Sequence, residues 1–490
     1  MSQPSPGLPA PASPTPPPLA RNGGAGGDAE GGRDGTDDAG RETRAASRGP
    51  QPGLPASAPP VDGATDLDGE RRLLRLQIRT FALTWLSYAS YYLTRKNLSV
   101  TKSRLHDGLG VSTIELGIID TAYLASYALG QFVNGALGDR IGSRRLIALG
   151  MLGSAAMALG FGLSSSVPLF LLCFALNGAL QSTGWPGNVK AMQPFFASGT
   201  RGRVMGLWTT NYQAGGLIAT ALATFLLVHV GWRAAFIGPA LWVASVGILI
   251  RLFLVERPEE RGLPPVEPEP SVTASAAAPR PGPTLGRLLR LPVLWTLGTA
   301  YFGIKLIRYS LLFWLPFYLK QHLHYSEGAA GYLSLPFELG GIIGSIGVGW
   351  LSDRFFRTRR LWLTSPLLLL LGGALLLYQR VGGAGVVINV ALLALVGFLL
   401  FGPDSLLSGT TAQDLGGRHA TARVAGIING MGSVGAIFSP MLVARITERL
   451  GWDALFLGFC GLTGLSSLLL AVSATLVPAA RRALASPGPS

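Results

Sequence analysis

The chain has 490 residues, of which 48% are apolar and only 13% are charged. This composition indicates a helical membrane protein with many spans rather than a set of soluble domains. The formal net charge of +14 does not indicate nucleic-acid binding, because the arginines occur in short clusters between apolar runs, as in the cytoplasmic loops of membrane proteins.

Residues 1–70 are rich in Pro, Gly, Ala and Ser and contain no long apolar run. Such a segment cannot bury enough apolar surface to fold, so we expect a disordered cytoplasmic tail. It lacks the apolar core of a signal peptide, and its acidic residues argue against a transit peptide.

Apolar runs of membrane-spanning length recur from about residue 76. The sequence predicts an all-α membrane protein with twelve transmembrane helices in two six-helix bundles. The predicted helix centres are near residues 88, 126, 155, 180, 216, 244, 306, 340, 369, 398, 435 and 465. We name 71–255 the first half and 291–480 the second half. Between them, 256–290 is a polar, Pro-rich linker with a possible amphipathic helix at its end, and 481–490 is a short tail.

Basic residues in the short loops predict the orientation. One face carries the loops at 139–145, 200–203, 353–360 and 416–423 together with the linker. The opposite loops are poorer in basic residues, with Lys102, Arg104, Arg380 and Arg449 as exceptions. Both termini are therefore expected to be cytoplasmic.

An internal repeat supports the division into halves. The motif GALGDRIGSRR begins at Gly135 after the second span, and GWLSDRFFRTRR begins at Gly349 after the eighth. A repeat of this kind implies two halves related by an axis along the membrane normal, with a substrate site between them. An Asp followed by arginines can also be a simple orienting loop, but its repetition favours a state-dependent latch. The predicted latch residues are Asp139, Arg140, Arg144, Asp353 and Arg354.

The segment YASYYLTRKNLSV on the first span places a positive charge where it is costly. Tyr88, Tyr91, Tyr92 and Arg95 have the spacing of one helical face. A charge within an apolar span costs a few kcal/mol or more unless it meets a cavity, water or a counter-charge. Arg95 can snorkel or pair with an acid, but the tyrosine stripe indicates the wall of a polar cavity. Tyr123, Tyr127 and Gln131 form a second stripe.

The seventh span is the counterpart of the first, and it carries Tyr301, Lys305 and Arg308 on one face. Each half thus contributes an arginine from its first helix, which favours a shared anion site over two unrelated structural arginines. The planar guanidinium fork binds phosphate oxygens in pairs and stays charged at any working pH.

The eighth span carries Glu338, which we interpret as the only clear buried acid. Lys96, Lys305 and Arg308 are its candidate partners, and a structural pair with Lys96 is favoured. A proton-coupling role remains the alternative. On the fifth span, Asn211, Tyr212 and Gln213 can reach hydroxyl groups of a substrate.

The fourth span contains QSTGWPGNVKAM, in which Gly184, Pro186 and Gly187 predict a break or bend in the helix. Such a bend can act as a gate, and a plain packing kink is an equal alternative. The two cysteines, Cys173 and Cys460, lie inside apolar segments and predict packing residues rather than a disulfide or a metal site.

The motifs resemble those of the major facilitator superfamily and, within it, the organophosphate:phosphate antiporters, above all the sugar-phosphate exchangers. The resemblance covers about residues 75–480 and rests on segments 88–103, 181–192, 231–242 and 423–442. It implies that Arg95 and Arg308 bind the phosphate group and that Tyr88, Tyr92 and Tyr127 line the cavity. Lys96 and Glu338 match charged positions of the family.

Four positions differ from the bacterial glycerol-3-phosphate antiporters. Gln131 stands where they have lysine, Tyr212 where they have histidine, Phe313 where they have an acid, and Lys305 where they have tyrosine. These differences leave the phosphate-binding arginines in place but put the organic part of the substrate in doubt.

The sequence therefore predicts an exchanger of inorganic phosphate for an organic phosphate ester. The alternatives are a proton-coupled organic-anion symporter that uses Glu338, and a transport-like sensor that signals through residues 1–70. We expect no enzyme, cofactor, metal or nucleic-acid partner, and we expect a monomer in the lipid bilayer. The membrane would be the cell membrane of a bacterium or an endomembrane, such as the endoplasmic reticulum, of a eukaryote.

Overall fold

The computed structural model describes residues 63–266, 285–356 and 359–485, and every regular element in these ranges is helical. The helices of the first half are α1 Gly63–Tyr91, α2 Asn97–Leu109, α3 Thr113–Ile141, α4 Ser143–Leu163, α5 Val167–Gln181, α6 Gly184–Met192, α7 Ser198–Trp208, α8 Thr210–His229 and α9 Ala234–Phe253. The later helices are α10 Leu285–Leu289, α11 Pro292–Gln321, α12 Glu327–Leu333, α13 Leu335–Phe355, α14 Arg360–Val381, α15 Val386–Ser405 and α16 Thr411–Ala485.

All twelve predicted centres fall on helices. In the described part of the chain, nine helical segments are long and apolar enough to cross a membrane. The predicted spans near 88 and 126 are not among them, since tyrosines and other polar residues lower their hydropathy. Most of the predicted tail lies outside the described residues, but α1 begins within it, at Gly63, and α16 continues past 480 to Ala485.

The long helix α16 contains the predicted eleventh and twelfth spans. Met431 packs against Gly298 of α11, and Ser466 donates a hydrogen bond to the carbonyl of Ala300, also on α11. A straight helix would separate residues 431 and 466 by about 50 Å, so the chain must reverse between them. Gly451, with φ 82°, marks the reversal, because this left-handed conformation does not fit a regular helix.

Several predicted spans consist of two consecutive helices. The predicted break in the fourth span is present, since α5 ends at Gln181 and α6 begins at Gly184. Pro186 contributes to this break, because it cannot donate to the carbonyl four residues earlier. The first span is interrupted by a 3-10 turn at Tyr92–Thr94, immediately before Arg95.

The helices α13 and α15 of the second half pack almost backbone to backbone. A Cβ atom on Gly344 would overlap the backbone of α15 at Phe398, and one on Gly340 would overlap it at Ala394. Small residues permit this approach, which in a membrane supplies dispersion contacts that the lipid cannot. The contact holds α15 against the helix that carries Glu338.

Candidate functional site

The break between α1 and α2 positions Arg95 in the interior. The guanidinium carbon of Arg95 lies 4.6 Å from the ring centre of Tyr92, 4.9 Å from that of Tyr127 and 5.7 Å from that of Tyr123. The negative faces of aromatic rings attract a cation. The tyrosine stripes of the first two spans therefore form a cage around this charge.

A buried hydrogen-bond network fixes the orientation of Arg95. Its Nε donates to Oε1 of Gln181 at 3.1 Å, and the same oxygen accepts from the hydroxyl of Tyr123 at 2.8 Å. Nε2 of Gln181 donates to the hydroxyl of Thr94 at 3.0 Å and to Oδ1 of Asn177 at 3.1 Å. Because the amide of Gln181 is neutral, this network holds the guanidinium without cancelling its charge.

The second half holds its arginine in a different way. Nη1 of Arg308 donates to Oδ2 of Asp404, and Nζ of Lys305 lies 3.8 Å from Oδ1 of the same carboxylate. The guanidinium carbon of Arg308 also lies 4.2 Å from the ring centre of Phe401. Lys305 and Arg308 thus share one carboxylate, which offsets part of the cost of burying two cations.

Asp404 corrects one of our sequence interpretations. Glu338 is partly buried, and two other acids, Asp404 on α15 and Asp120 on α3, are more deeply buried. A signal for Asp404 was present in the sequence: it lies in Val386–Ser408, which has the highest mean hydropathy of the membrane-spanning candidates, at 2.4. An acid in such a run needs a partner for the same reason that Arg95 does.

Lys96 and Glu338 connect the two halves. Nζ of Lys96 lies 2.7 Å from Oε1 of Glu338, and the same oxygen accepts from the hydroxyl of Thr220 at 3.3 Å. The pair that we favoured from the sequence is therefore in contact. Its carboxylate meets one residue from α8 and one from the turn before α2.

These groups surround a cavity of about 60 Å³. Its lining residues are Tyr92, Arg95, Lys96, Tyr123, Leu124, Tyr127, Tyr212, Gln213, Gly216, Arg308, Tyr309, Leu312, Glu338 and Phe401. On this measure a water molecule needs about 10–15 Å³, so the cavity has room for a small anion but must widen for a larger ester. Tyr309 and Phe401 are lining residues that our sequence reasoning did not name.

Three predicted substrate residues do not line this cavity. Tyr88 stands behind Tyr127, with their hydroxyl oxygens 3.4 Å apart. Lys305 lies behind Arg308, next to Asp404. Asn211 is fully buried, and its side-chain oxygen and nitrogen find no hydrogen-bond partner among the described residues.

Hydrogen bonds from Lys96 and from α2 of the first half reach α11 of the second half. Pro316 lacks the N–H that would bond the carbonyl of Leu312 inside α11. That carbonyl instead accepts from Nζ of Lys96 at 3.2 Å, and the next one, of Phe313, accepts from Nζ of Lys102 at 2.9 Å. Donors of the first half therefore bind carbonyls at a proline in the second.

Lys102 corrects a second interpretation. We counted it among basic residues of a loop, but it lies within α2, is 0% exposed and forms an ion pair with Asp120, which is also 0% exposed. Its ammonium also lies 3.8 Å from the ring centre of Trp314. Counting basic residues to predict orientation assumes that they lie in exposed loops, and this assumption fails for a lysine that is buried within a helix.

The contacts of the predicted latch residues lie within their own halves or at the start of the linker. Asp139 pairs with Lys190 at 2.6 Å, and Asp353 pairs with Arg360 at 3.1 Å. The backbone N–H of Arg144 donates to Glu256 at 3.0 Å, where the linker begins. Arg140 and Arg354 are exposed. A role as a latch between the halves remains a prediction.

Comparison with known proteins identifies a family model over most of the chain. Residues 84–440 match the family described as Major Facilitator Superfamily. Among curated relatives, the glucose-6-phosphate exchanger SLC37A2 of Danio rerio is 31% identical, covering 79% of this chain and 90% of that protein. The sugar phosphate exchanger 3 of Bos taurus is 31% identical, covering 80% and 91%. The putative glycerol-3-phosphate transporter 5 of Arabidopsis thaliana is 32% identical, covering 78% and 87%.

A solved structure shows the same fold. It is the inward-facing, unoccupied form of a bacterial homolog of the human lysosomal transporter Spinster, with a TM-score of 0.64. The alignment covers 84% of this chain and 98% of that one, at 15% sequence identity. At this identity the likeness shows the fold alone.

Proposed function

Because the chain belongs to the Major Facilitator Superfamily, a family of transporters, we propose that it exchanges an organic phosphate ester for inorganic phosphate across a membrane by alternating access. It is an integral, multi-pass membrane protein. The names of its relatives support a sugar phosphate or glycerol 3-phosphate as the ester.

One observation carries the proposal. Arg95 of the first half and Arg308 of the second both line the same buried cavity. An arginine pair offers several N–H donors in planar forks, which match the tetrahedral oxygens of a phosphate group. The tyrosines and Gln213 around the cavity can donate to, or accept from, the hydroxyl groups of the ester.

Exchange follows from the cost of moving buried charge. Without an anion, the arginines would carry uncompensated charge through an occluded state of low dielectric. Either phosphate or a phosphate ester cancels that charge, so loaded forms reorient and the empty form does not. The α2–α11 bonds then break and re-form as the two halves rock, in a two-state equilibrium that the ligand biases.

The experiment is exchange of labelled phosphate into proteoliposomes that contain trapped phosphate, a trapped ester or buffer alone. We expect uptake only with a trapped anion. We expect Arg308→Gln to lower exchange about 30-fold or more, since loss of one partner of a buried charged contact costs about 2–5 kcal/mol. Arg251→Gln, at an exposed position near the end of α9, is the matched control and keeps exchange.

Other outcomes would contradict this function. Equal uptake into empty liposomes would refute obligate exchange, and unchanged exchange in Arg308→Gln would refute the site. Uptake driven by a proton gradient into empty liposomes would indicate symport instead. Glu338 supports that second candidate, because its carboxylate meets both Lys96 and Thr220 at the cavity wall, and its protonation would release Lys96.

The orientation, oligomeric state and counter-substrate are part of the same proposal. The basic loops support cytoplasmic termini, and we propose a monomer with a substrate path between its halves. Accessibility of tags fused to each terminus in sealed vesicles of known sidedness tests the orientation. Both tags should be protected from outside where the cytoplasmic face lies inside, and both should be accessible where it lies outside.

A further inference from the structure

The two arginines of the cavity have chemically different supports. Nε of Arg95 bonds a neutral amide, that of Gln181, which is itself fully buried and bonded on both sides. Arg308 bonds a carboxylate, that of Asp404. Neither supporting residue lines the cavity, so each can act on a substrate only through the arginine that it holds and through its charge.

The charges around the cavity leave a defined excess. In the described part of the chain, the cations that line the cavity, or that share a carboxylate with one of its arginines, are Arg95, Lys96, Lys305 and Arg308. The carboxylates are Glu338 and Asp404. Four cations and two carboxylates give the empty site a net charge of +2.

We propose that Gln181 and Asp404 are positioning residues that together set this charge at +2, and thereby match the site to a doubly charged phosphate group. The inference rests on the proposed function and adds the charge of the preferred cargo. A phosphate dianion or a phosphate monoester dianion neutralises the site, whereas an anion with a single charge leaves it at +1.

The asymmetry suits a site that must bind and also release. With carboxylates on both arginines the empty site would carry an excess of only +1, so it would attract a dianion less strongly and would be left at −1 when loaded with one. With amides on both it would carry an excess of +3 and would retain charge even when loaded with a dianion. One amide and one carboxylate make the loaded form neutral, which is the form that crosses a medium of low dielectric at least cost.

Two nearly isosteric substitutions change the charge in opposite directions. Gln181→Glu adds a carboxylate beside Arg95 and lowers the excess to +1, while Asp404→Asn raises it to +3. The double variant returns it to +2 with the two supports interchanged. Both new side chains retain the size of the old ones, so the hydrogen-bonding partners in the surrounding helices remain in place.

The readout is the ratio of kcat/KM for two esters of glycerol, the phosphate monoester and the sulfate monoester, each exchanged against trapped phosphate at pH 7.5. The phosphate ester is mainly a dianion there, because its second pKa is about 6, and the sulfate ester is a monoanion of similar shape. A unit change in site charge acts twice as strongly on the dianion. We expect Gln181→Glu to lower the phosphate-to-sulfate ratio by about threefold or more and Asp404→Asn to raise it by as much.

The double variant should return the ratio to near the wild-type value even if both rates are lower. If the two residues had a purely structural role, each substitution would lower kcat/KM for both esters by the same factor and leave the ratio unchanged. That result would overturn the inference. A ratio that moves in the same direction in both single variants would overturn it as well. Absence of phosphate-driven exchange in the wild-type protein would instead refute the proposed function.

If Gln181→Glu is not recovered as folded protein, Asp404→Asn decides alone, since its predicted effect is a gain in selectivity that damage does not produce. Thermal stabilisation of each purified variant by the two esters gives the same ratio without transport. A larger preference for the phosphate ester in Asp404→Asn supports the inference, and an equal or smaller preference overturns it.

Discussion

Replacing Lys102 with methionine tests how much the buried ion pair contributes to stability. Lys102 and Asp120 are both inaccessible, and the ammonium also donates to the carbonyl of Phe313 at 2.9 Å. Methionine fills a similar volume but leaves the carboxylate of Asp120 buried without a counter-ion. Removal of one partner of a buried pair costs about 3–5 kcal/mol, and the orphaned carbonyl adds about 1–3 kcal/mol.

A double substitution separates the charge from the packing. In Lys102→Met/Asp120→Leu neither charge remains, and apolar replacements of a buried pair are often neutral or stabilising. We therefore expect each single variant to lose several kcal/mol and the double variant to recover most of the loss. The hydrogen bond to Phe313 is not recovered, so the double variant remains slightly below the wild-type protein.

Thermal unfolding of the purified protein in detergent measures these differences. Cys173 is buried and Cys460 half-buried, so a thiol-reactive dye reports unfolding without an added label. For a chain of this size we expect about 1–2 °C per kcal/mol. Lys102→Met, which loses about 4–8 kcal/mol, should therefore unfold roughly 4–16 °C below the wild-type protein, and Asp120→Leu, which loses about 3–5 kcal/mol, roughly 3–10 °C below it. Single variants within 2 °C of wild type, or a double variant no more stable than either single one, would refute the reasoning.

Two further predictions concern the contact between α2 and α11 and the packing of α13 against α15. In a background without Cys173 and Cys460, a short, reducible bifunctional thiol reagent should cross-link Asp107→Cys/Gln321→Cys, since these side chains join α2 to α11 by a hydrogen bond of 2.9 Å. The cross-link should stop exchange and a reductant should restore it. Full exchange in the cross-linked protein would show that α2 and α11 need not separate here during transport. Gly344→Leu should destabilise the protein by several kcal/mol, about the cost of overpacking plus a backbone shift, because its Cβ would overlap Phe398. Gly349→Leu on the same helix has open space and should unfold near the wild-type temperature, so equal losses in both variants would contradict the packing argument.

Most of the architecture was readable from local patterns. Each helix centre, the break at Gly184–Gly187 and the two interior arginines follow from hydropathy, proline chemistry and the cost of placing charge in an apolar run. Asp404 follows from the same rule, since it is an acid within the apolar segment Val386–Ser408, but it was not among our predicted site residues.

The supports of those arginines were not readable in this way. Arg95 and Gln181 are 86 positions apart, and Arg308 and Asp404 are 96 apart. No helical period connects residues at such separations, so only the packing of one span against another decides which partner each arginine meets. The same holds for Lys102. Its position near the end of the first span is typical of a loop residue, and only the packing of α3 and α11 around it accounts for its burial.

By itself, therefore, the sequence determined where the helix centres lie along the chain and that Arg95 and Arg308 stand within helices. These properties depend on the transfer of each segment from water, which is a local quantity. The tertiary structure alone decided that one arginine bonds an amide and the other a carboxylate. It also decided that Lys96 and Lys102 donate to the carbonyls of Leu312 and Phe313, close to Pro316. Those contacts depend on the distances between helices, which are set by the packing of the whole chain.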